Sequence, residues 1–126
     1  MRFSQSRDQN IADRTERFAM EIISLYSELP SGMVPHVLGK QLLRSGTSVG
    51  AQIAESNRAK SRPDFVSKVE GAMQELEESA YWLRLLARSG TLPAVRIDGL
   101  QDEINQLLAI LTTMVTRTRQ RDQLSG

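Results

Sequence analysis

Residues 42–86 read LLRSGTSVGAQIAESNRAKSRPDFVSKVEGAMQELEESAYWLRLL, and this stretch decides the fold. Its second half is the clearest helical signal in the chain. Phe65, Val69, Met73, Leu76, Ala80, Leu83 and Ala87 recur in steps of four and three, the seam by which helices of a bundle pack on one another. Lys68, Glu75, Glu78 and Arg88 fall outside that seam. Ser61 followed by Asp64 has the spacing of a capping box with Asp in the acidic position, and Pro63 suits a first turn whose amides lack helical acceptors. A helix is predicted over 62–89. Near its end Tyr81, Trp82 and Leu85 join Leu83 and Leu86, which is more apolar surface than one seam can cover. Either the bundle is deep there or a second subunit covers it.

The first half of the stretch is built from small residues. A helix is predicted from about 36 to 59, opened by Pro35 and carrying Val37, Leu38, Leu42, Val49 and Ile53. Two glycines inside a helix cost about 1 kcal/mol each against alanine, so a compensating contact is expected. Gly46 and Gly50 lie four apart on one face and Ala54 continues the row, which would let a neighbouring backbone approach closely. The alternative is a loop over Ser45–Gly50. The apolar period resumes in phase at Val49 and Ile53, which favours the continuous helix. GTSVG does not make a phosphate loop, because no lysine follows it and no strand precedes it.

Outward from this stretch the pattern continues. Ile11, Thr15, Phe18, Ile22, Leu25, Tyr26 and Leu29 form one stripe, giving a helix over about 9–29 with Asp8 as its N-cap, disorder before it, and a stop at Pro30–Gly32. Ser89 and Gly90 close the third helix, and Leu92–Pro93 open a fourth over 93–120, with Ile97, Leu100, Ile104, Leu107, Leu111, Met114 and Thr118 in register. Leu108 and Val115 add a second stripe, and residues 123–126 are expected to fray. The expected architecture is all-α: one antiparallel up-down four-helix bundle.

Composition bounds the function. A chain of 126 residues with 40% hydrophobic content supplies one core, and sixteen basic against fifteen acidic residues leave a net charge of +1. Cysteine is absent and His36 is the only histidine, so thiol chemistry and the Glu-x-x-His pairs of di-iron bundles are excluded. Glu70, Glu75, Glu77 and Glu78 are read as solvated or paired with arginine. No serine has a nearby base in sequence. No catalytic, cofactor or metal site is expected, and with no signal peptide or membrane span the chain is expected to be cytoplasmic.

Charge is uneven along the chain. Between Lys40 and Arg62 five basic residues face Glu55 alone. Arg44, Arg58, Lys60 and Arg62, with Arg117, Arg119 and Arg121 near the C-terminus, are the candidate phosphate contacts. The alternative for the loop residues is a solvated helix end with cations at its negative dipole.

Three segments carry a resemblance: Arg44-Ser45-Gly46-Thr47-Ser48-Val49-Gly50-Ala51-Gln52-Ile53-Ala54-Glu55, then Ala59-Lys60-Ser61 through Asp64-Phe65-Val66-Ser67-Lys68, then Glu77-Glu78-Ser79-Ala80-Tyr81-Trp82-Leu83-Arg84-Leu85-Leu86. Together they resemble the four-helix-bundle proteins of intervening sequences in bacterial 23S ribosomal RNA genes. The resemblance implies close packing by Ser45, Ser48 and Ala51, with Arg44 and Glu55 as a polar signature; Gln52 takes the place of the family's usual asparagine. Related accessory variability proteins of diversity-generating retroelements form barrel-like homopentamers that bind a reverse transcriptase and nucleic acid. For this chain the resemblance implies a ring-like homopentamer, non-catalytic and associated with RNA or a nucleic-acid enzyme. The oligomer interface would use Ser45, Gly46, Gly50, Ala54, Tyr81, Trp82 and Leu85. The competing reading is a structural or protein-binding module in which Tyr81, Trp82 and Leu85 meet a partner and no nucleic acid is involved.

Overall fold

The computed structural model describes the backbone of residues 2–125 and the side chains of residues 10–124. Four helices, and no strand among the described residues, make up the chain: α1 (Arg2–Glu28), α2 (Met33–Ser56), α3 (Arg62–Arg88) and α4 (Ala94–Ser125). α1 starts at Arg2, ahead of the expected N-cap at Asp8 and through the segment expected to be disordered, and α4 runs on through the residues expected to fray as far as Ser125. Gly126 lies outside the described residues. α2 is one unbroken helix through Ser45–Gly50, but it begins three residues before His36 and stops at Ser56 rather than Ala59.

The turns follow their residues. Gly32 precedes α2 with φ 135° and Gly90 follows α3 with φ 76°, backbone conformations that favour glycine. At the start of α3 the Asp64 amide donates to Ser61 Oγ at 3.1 Å, and the Lys60 amide donates to Asp64 Oδ2 at 3.0 Å. The capping box is therefore reciprocal, with its return bond taken one residue early.

Each helix runs antiparallel to its neighbours. On the α1–α2 side Gly46 meets Ile22 while Gly50 meets Thr15. Between α2 and α3, Ser45 meets Ser79 while Glu55 meets Lys68. Between α3 and α4, Gln101 donates to the Ala80 carbonyl while Arg119 meets Glu70. α1 and α4 close the arrangement through Arg14–Glu103 and Arg96–Glu28. The α2–α3 interface is the most extensive and the α1–α4 interface the least.

The core explains why α2 carries glycine. A Cβ on Gly46 would lie 2.8 Å from Ile22 Cγ1 and 3.2 Å from Ile22 Cβ, so only glycine admits α1 at this distance. Gly50 is less constrained, with Thr15 Oγ1 at 3.4 Å. The α1 stripe is confirmed, with Ile11, Thr15, Phe18, Ile22 and Leu25 buried. The α3 seam is displaced by about one position: Val66, Val69, Ala72, Leu76, Ser79, Leu83 and Leu86 are buried, whereas Phe65, Met73, Ala80 and Ala87 are half-buried. α3 packs on both α2 and α4, so its buried arc is centred between the two. Of the expected α2 core, Val37 is exposed, and on α4 Val115 is buried where Met114 is only half-buried.

Candidate nucleic-acid interface

The seven candidate cations divide into three groups. Arg44 stands apart, twelve residues before the end of α2 and about 18 Å along the helix. Its guanidinium pairs with Glu78 and, at 3.4 Å, with Glu75. The hydrogen bond from Arg44 holds the Glu78 carboxyl below the usual carboxylate range; partial burial opposes this, and the Trp82 indole N–H, 3.2 Å from Glu78 Oε1, adds to it. Arg44 is thus a strut between α2 and α3, already neutralised.

Arg62 and Arg119 form the second group, tied to carboxylates at the junction of α3 and α4. Arg62 lies 3.6 Å from Asp122 and donates to the Arg121 carbonyl at 3.2 Å. Arg119 donates to Glu70 at 3.0 Å.

Arg58, Lys60, Arg117 and Arg121 make the third group. All four are exposed, and none of their side chains forms an ion pair among the described residues. Lys60 and Arg121 share the rim of a depression of about 370 Å³ at one end of the bundle. Its walls are Ser56, Asn57, Ser61, Arg62, Phe65 and Thr118, and no carboxylate lines it. The walls are fixed from within: Ser56 Oγ donates to the Ile53 carbonyl at 2.6 Å and Thr118 Oγ1 to the Met114 carbonyl at 2.8 Å. On the other side of Arg62 a groove of about 620 Å³ runs along α3, lined by Arg62, Lys68 and Arg119 with Glu70 and Asp122; Arg119 pairs with Glu70 and Arg62 with Asp122, so most of its charge is neutralised. Arg117 sits at a smaller cleft between α1 and α4, with Arg14 and Met114.

The residues expected at an oligomer interface are dispersed. Ser45 and Gly46 are buried inside the chain, so the expected intersubunit role is corrected to an internal one. Ser45 Oγ lies 2.8 Å from Ser79 Oγ, and Gly46 receives Ile22. Gly50 is half-buried beside Thr15, and Ala54 is exposed. Ala51, expected to pack closely, is exposed because the buried arc of α2 turns through Gly46, Val49 and Ile53. Tyr81 is 46% exposed, while Trp82 and Leu85 are half-buried. Tyr81 and Trp82 meet edge to face at 5.0 Å, with the Arg84 guanidinium over the Tyr81 ring.

Sequence reading missed the exposed apolar residues Met20, Ile23, Met33 and Val34 on the first two helices. Met20 and Ile23 fall between the steps of the α1 stripe, and an off-stripe apolar pair was the available signal. His36 is exposed. Among the described residues no grouping of histidine, aspartate and glutamate could hold a metal ion, and no helix is long and apolar enough to cross a membrane.

The family of 23S rRNA-intervening sequence proteins matches residues 7–113, a span that includes all of α2 and α3 and stops before the last turns of α4. A crystal structure of a protein of unknown function from the S23 ribosomal protein family of Bacteroides thetaiotaomicron is similar at 33% identity, covering 83% of this chain and 97% of that one with a TM-score of 0.76. No curated protein matches the sequence.

Proposed function

We propose that this chain, which belongs to the family of 23S rRNA-intervening sequence proteins, is a non-catalytic, homo-oligomeric RNA-associated accessory protein of the cytoplasm. The observation that carries the RNA reading is the separation of charge. Net charge is only +1, yet Arg58, Lys60 and Arg121 are exposed together at one end of the bundle with no carboxylate partner among the described residues, whereas Arg14, Arg44, Arg62, Arg96 and Arg119 are paired with carboxylates. Phosphate contact needs a local cluster of cations, which a low total charge does not prevent.

Self-association is supported by the apolar residues that the four helices leave uncovered. Met20 is 59% exposed and Met33 77%, and Ile23, Val34 and Val37 add to the surface of α1 and α2. Such a surface is suited to contact with further copies of the chain, and the resemblance to ring-forming relatives supports a ring of five.

RNA retention tests the reading. Replacing Arg58, Lys60 and Arg121 by glutamine is expected to lower retention of a mixed RNA pool at least tenfold in about 50 mM salt, and raising salt to about 200 mM is expected to release RNA from the unmodified protein. Retention that ignores both changes would favour the protein-binding alternative.

A further inference from the structure

We propose that the depression rimmed by Lys60 and Arg121 is a one-nucleotide subsite for single-stranded RNA, in which the two cations take phosphate and a base lies against Phe65. The inference rests on the RNA reading above and goes beyond it by naming the form of nucleic acid and the place it enters. Three features of the depression carry it.

The first is shape. At about 370 Å³ it has the volume of a small ligand cleft, about 300–1,000 Å³, and it is open to solvent rather than enclosed. It is concave and lies at the tip of the bundle between the α2–α3 connection and the last turns of α4. An A-form duplex presents phosphates on a convex surface and keeps its base faces stacked inside, so none of it enters such a space. A single strand can turn one base out of its stack.

The second is the division of labour among the lining groups. Ser56, Thr118 and Ser61 have their hydroxyls engaged with the backbone, and Arg62 is held by Asp122 and the Arg121 carbonyl. These residues are wall. Lys60 and Arg121 remain with cationic heads that no carboxylate among the described residues neutralises, and no Asp or Glu lines the space to repel phosphate.

The third is chemistry on the inner side. Phe65 is half-buried, packed on the core from one side and lining the depression from the other. An aromatic ring held by a core and open to a basic cleft is a stacking surface for a base, a contact that tolerates any sequence. Asn57 on the rim adds an amide able to donate to and accept from a base edge.

Fluorescence anisotropy with a labelled twelve-nucleotide single-stranded RNA, and with the same RNA annealed to its complement, tests the inference on the full chain. The single strand is expected to bind at least about tenfold more tightly than the duplex. Lys60→Gln with Arg121→Gln, both at exposed positions, is expected to weaken it at least tenfold and to reduce the slope of log K against log salt by about 1.4, two phosphate contacts' worth. Phe65→Leu, which keeps the apolar packing, is expected to weaken the single strand at least about fivefold and leave the duplex unchanged. The matched pair Arg84→Gln with Arg88→Gln, at the other end of α3, is expected to change neither. Equal affinity for the two RNAs, or an equal loss from the Arg84 and Arg88 pair, overturns the subsite while RNA association stands. No binding of either RNA at low salt overturns both.

Discussion

Gly46→Ala isolates the contact on which α1 and α2 depend. Helix propensity alone would make the substitution stabilising by about 1 kcal/mol. The new Cβ, however, would lie 2.8, 3.0 and 3.2 Å from Cγ1, Cγ2 and Cβ of Ile22. Ile22 is fully buried and branched at Cβ, so the clashing atoms are the root of the side chain and cannot swing away. Overpacking a filled core costs about 1–3 kcal/mol, so the net expectation is a loss of roughly 1 kcal/mol, or about 4 °C in Tm. Gly99→Ala is the internal control: nothing lies within 4 Å of the added atom, and a gain of about 0.5–1 kcal/mol is expected. Urea denaturation of both variants gives the comparison. Adding Ile22→Ala completes a double-mutant cycle, in which the clash predicts a favourable coupling of at least about 1 kcal/mol. If Gly46→Ala is stabilised as much as Gly99→Ala, the close approach of α1 is wrong.

Ser45 and Ser79 share a buried hydrogen bond between α2 and α3, so Ser79→Ala alone should cost about 1–3 kcal/mol by calorimetry, and the double change to alanine distinctly less than twice that. Ser61→Ala removes the cap on the Asp64 amide and should lower stability by about 1 kcal/mol in denaturant titration; an unchanged midpoint would show that the cap is not needed. The Arg44 hydrogen bond depresses the Glu78 carboxyl, so its contribution is fully present above the ordinary glutamate value of 4.5 and is lost as pH falls through the depressed one. The Tm gap between the protein and Glu78→Gln should accordingly be open at pH 7 and close towards pH 3, and a gap that is constant with pH would refute the pairing. Glu28, held down by the hydrogen bond from Arg96, should behave in the same direction.

The helices were legible because large apolar residues mark one face of each. Leu76 and Leu83 anchor α3 in sequence as they do in space, and Gly46 announced the close contact it makes. What sequence could not show is which partner a small residue meets. Ser45 and Gly46 read as intersubunit surface because both are small, yet a small residue is equally suited to an internal crossing, and Ile22 and Ser79 fill that space. The α3 seam slipped for a related reason: Ala72 and Ser79 are poor markers of burial beside Met73 and Ala80, although the geometry buries them. Charge was harder still. Seven cations looked equivalent in the chain, but pairing depends on residues far apart in sequence, so Arg44 met Glu78 and Arg119 met Glu70 while Lys60 and Arg121 were left at the tip.

The mass of the protein in solution, measured by light scattering with and without a mixed RNA pool at about 50 and 200 mM salt, tests the central claim most directly. The account predicts about 70 kDa, five chains of 14.1 kDa, rising with RNA at the lower salt and returning at the higher. A mass of one chain would contradict the assembly, and a mass that RNA leaves unchanged would contradict the RNA association.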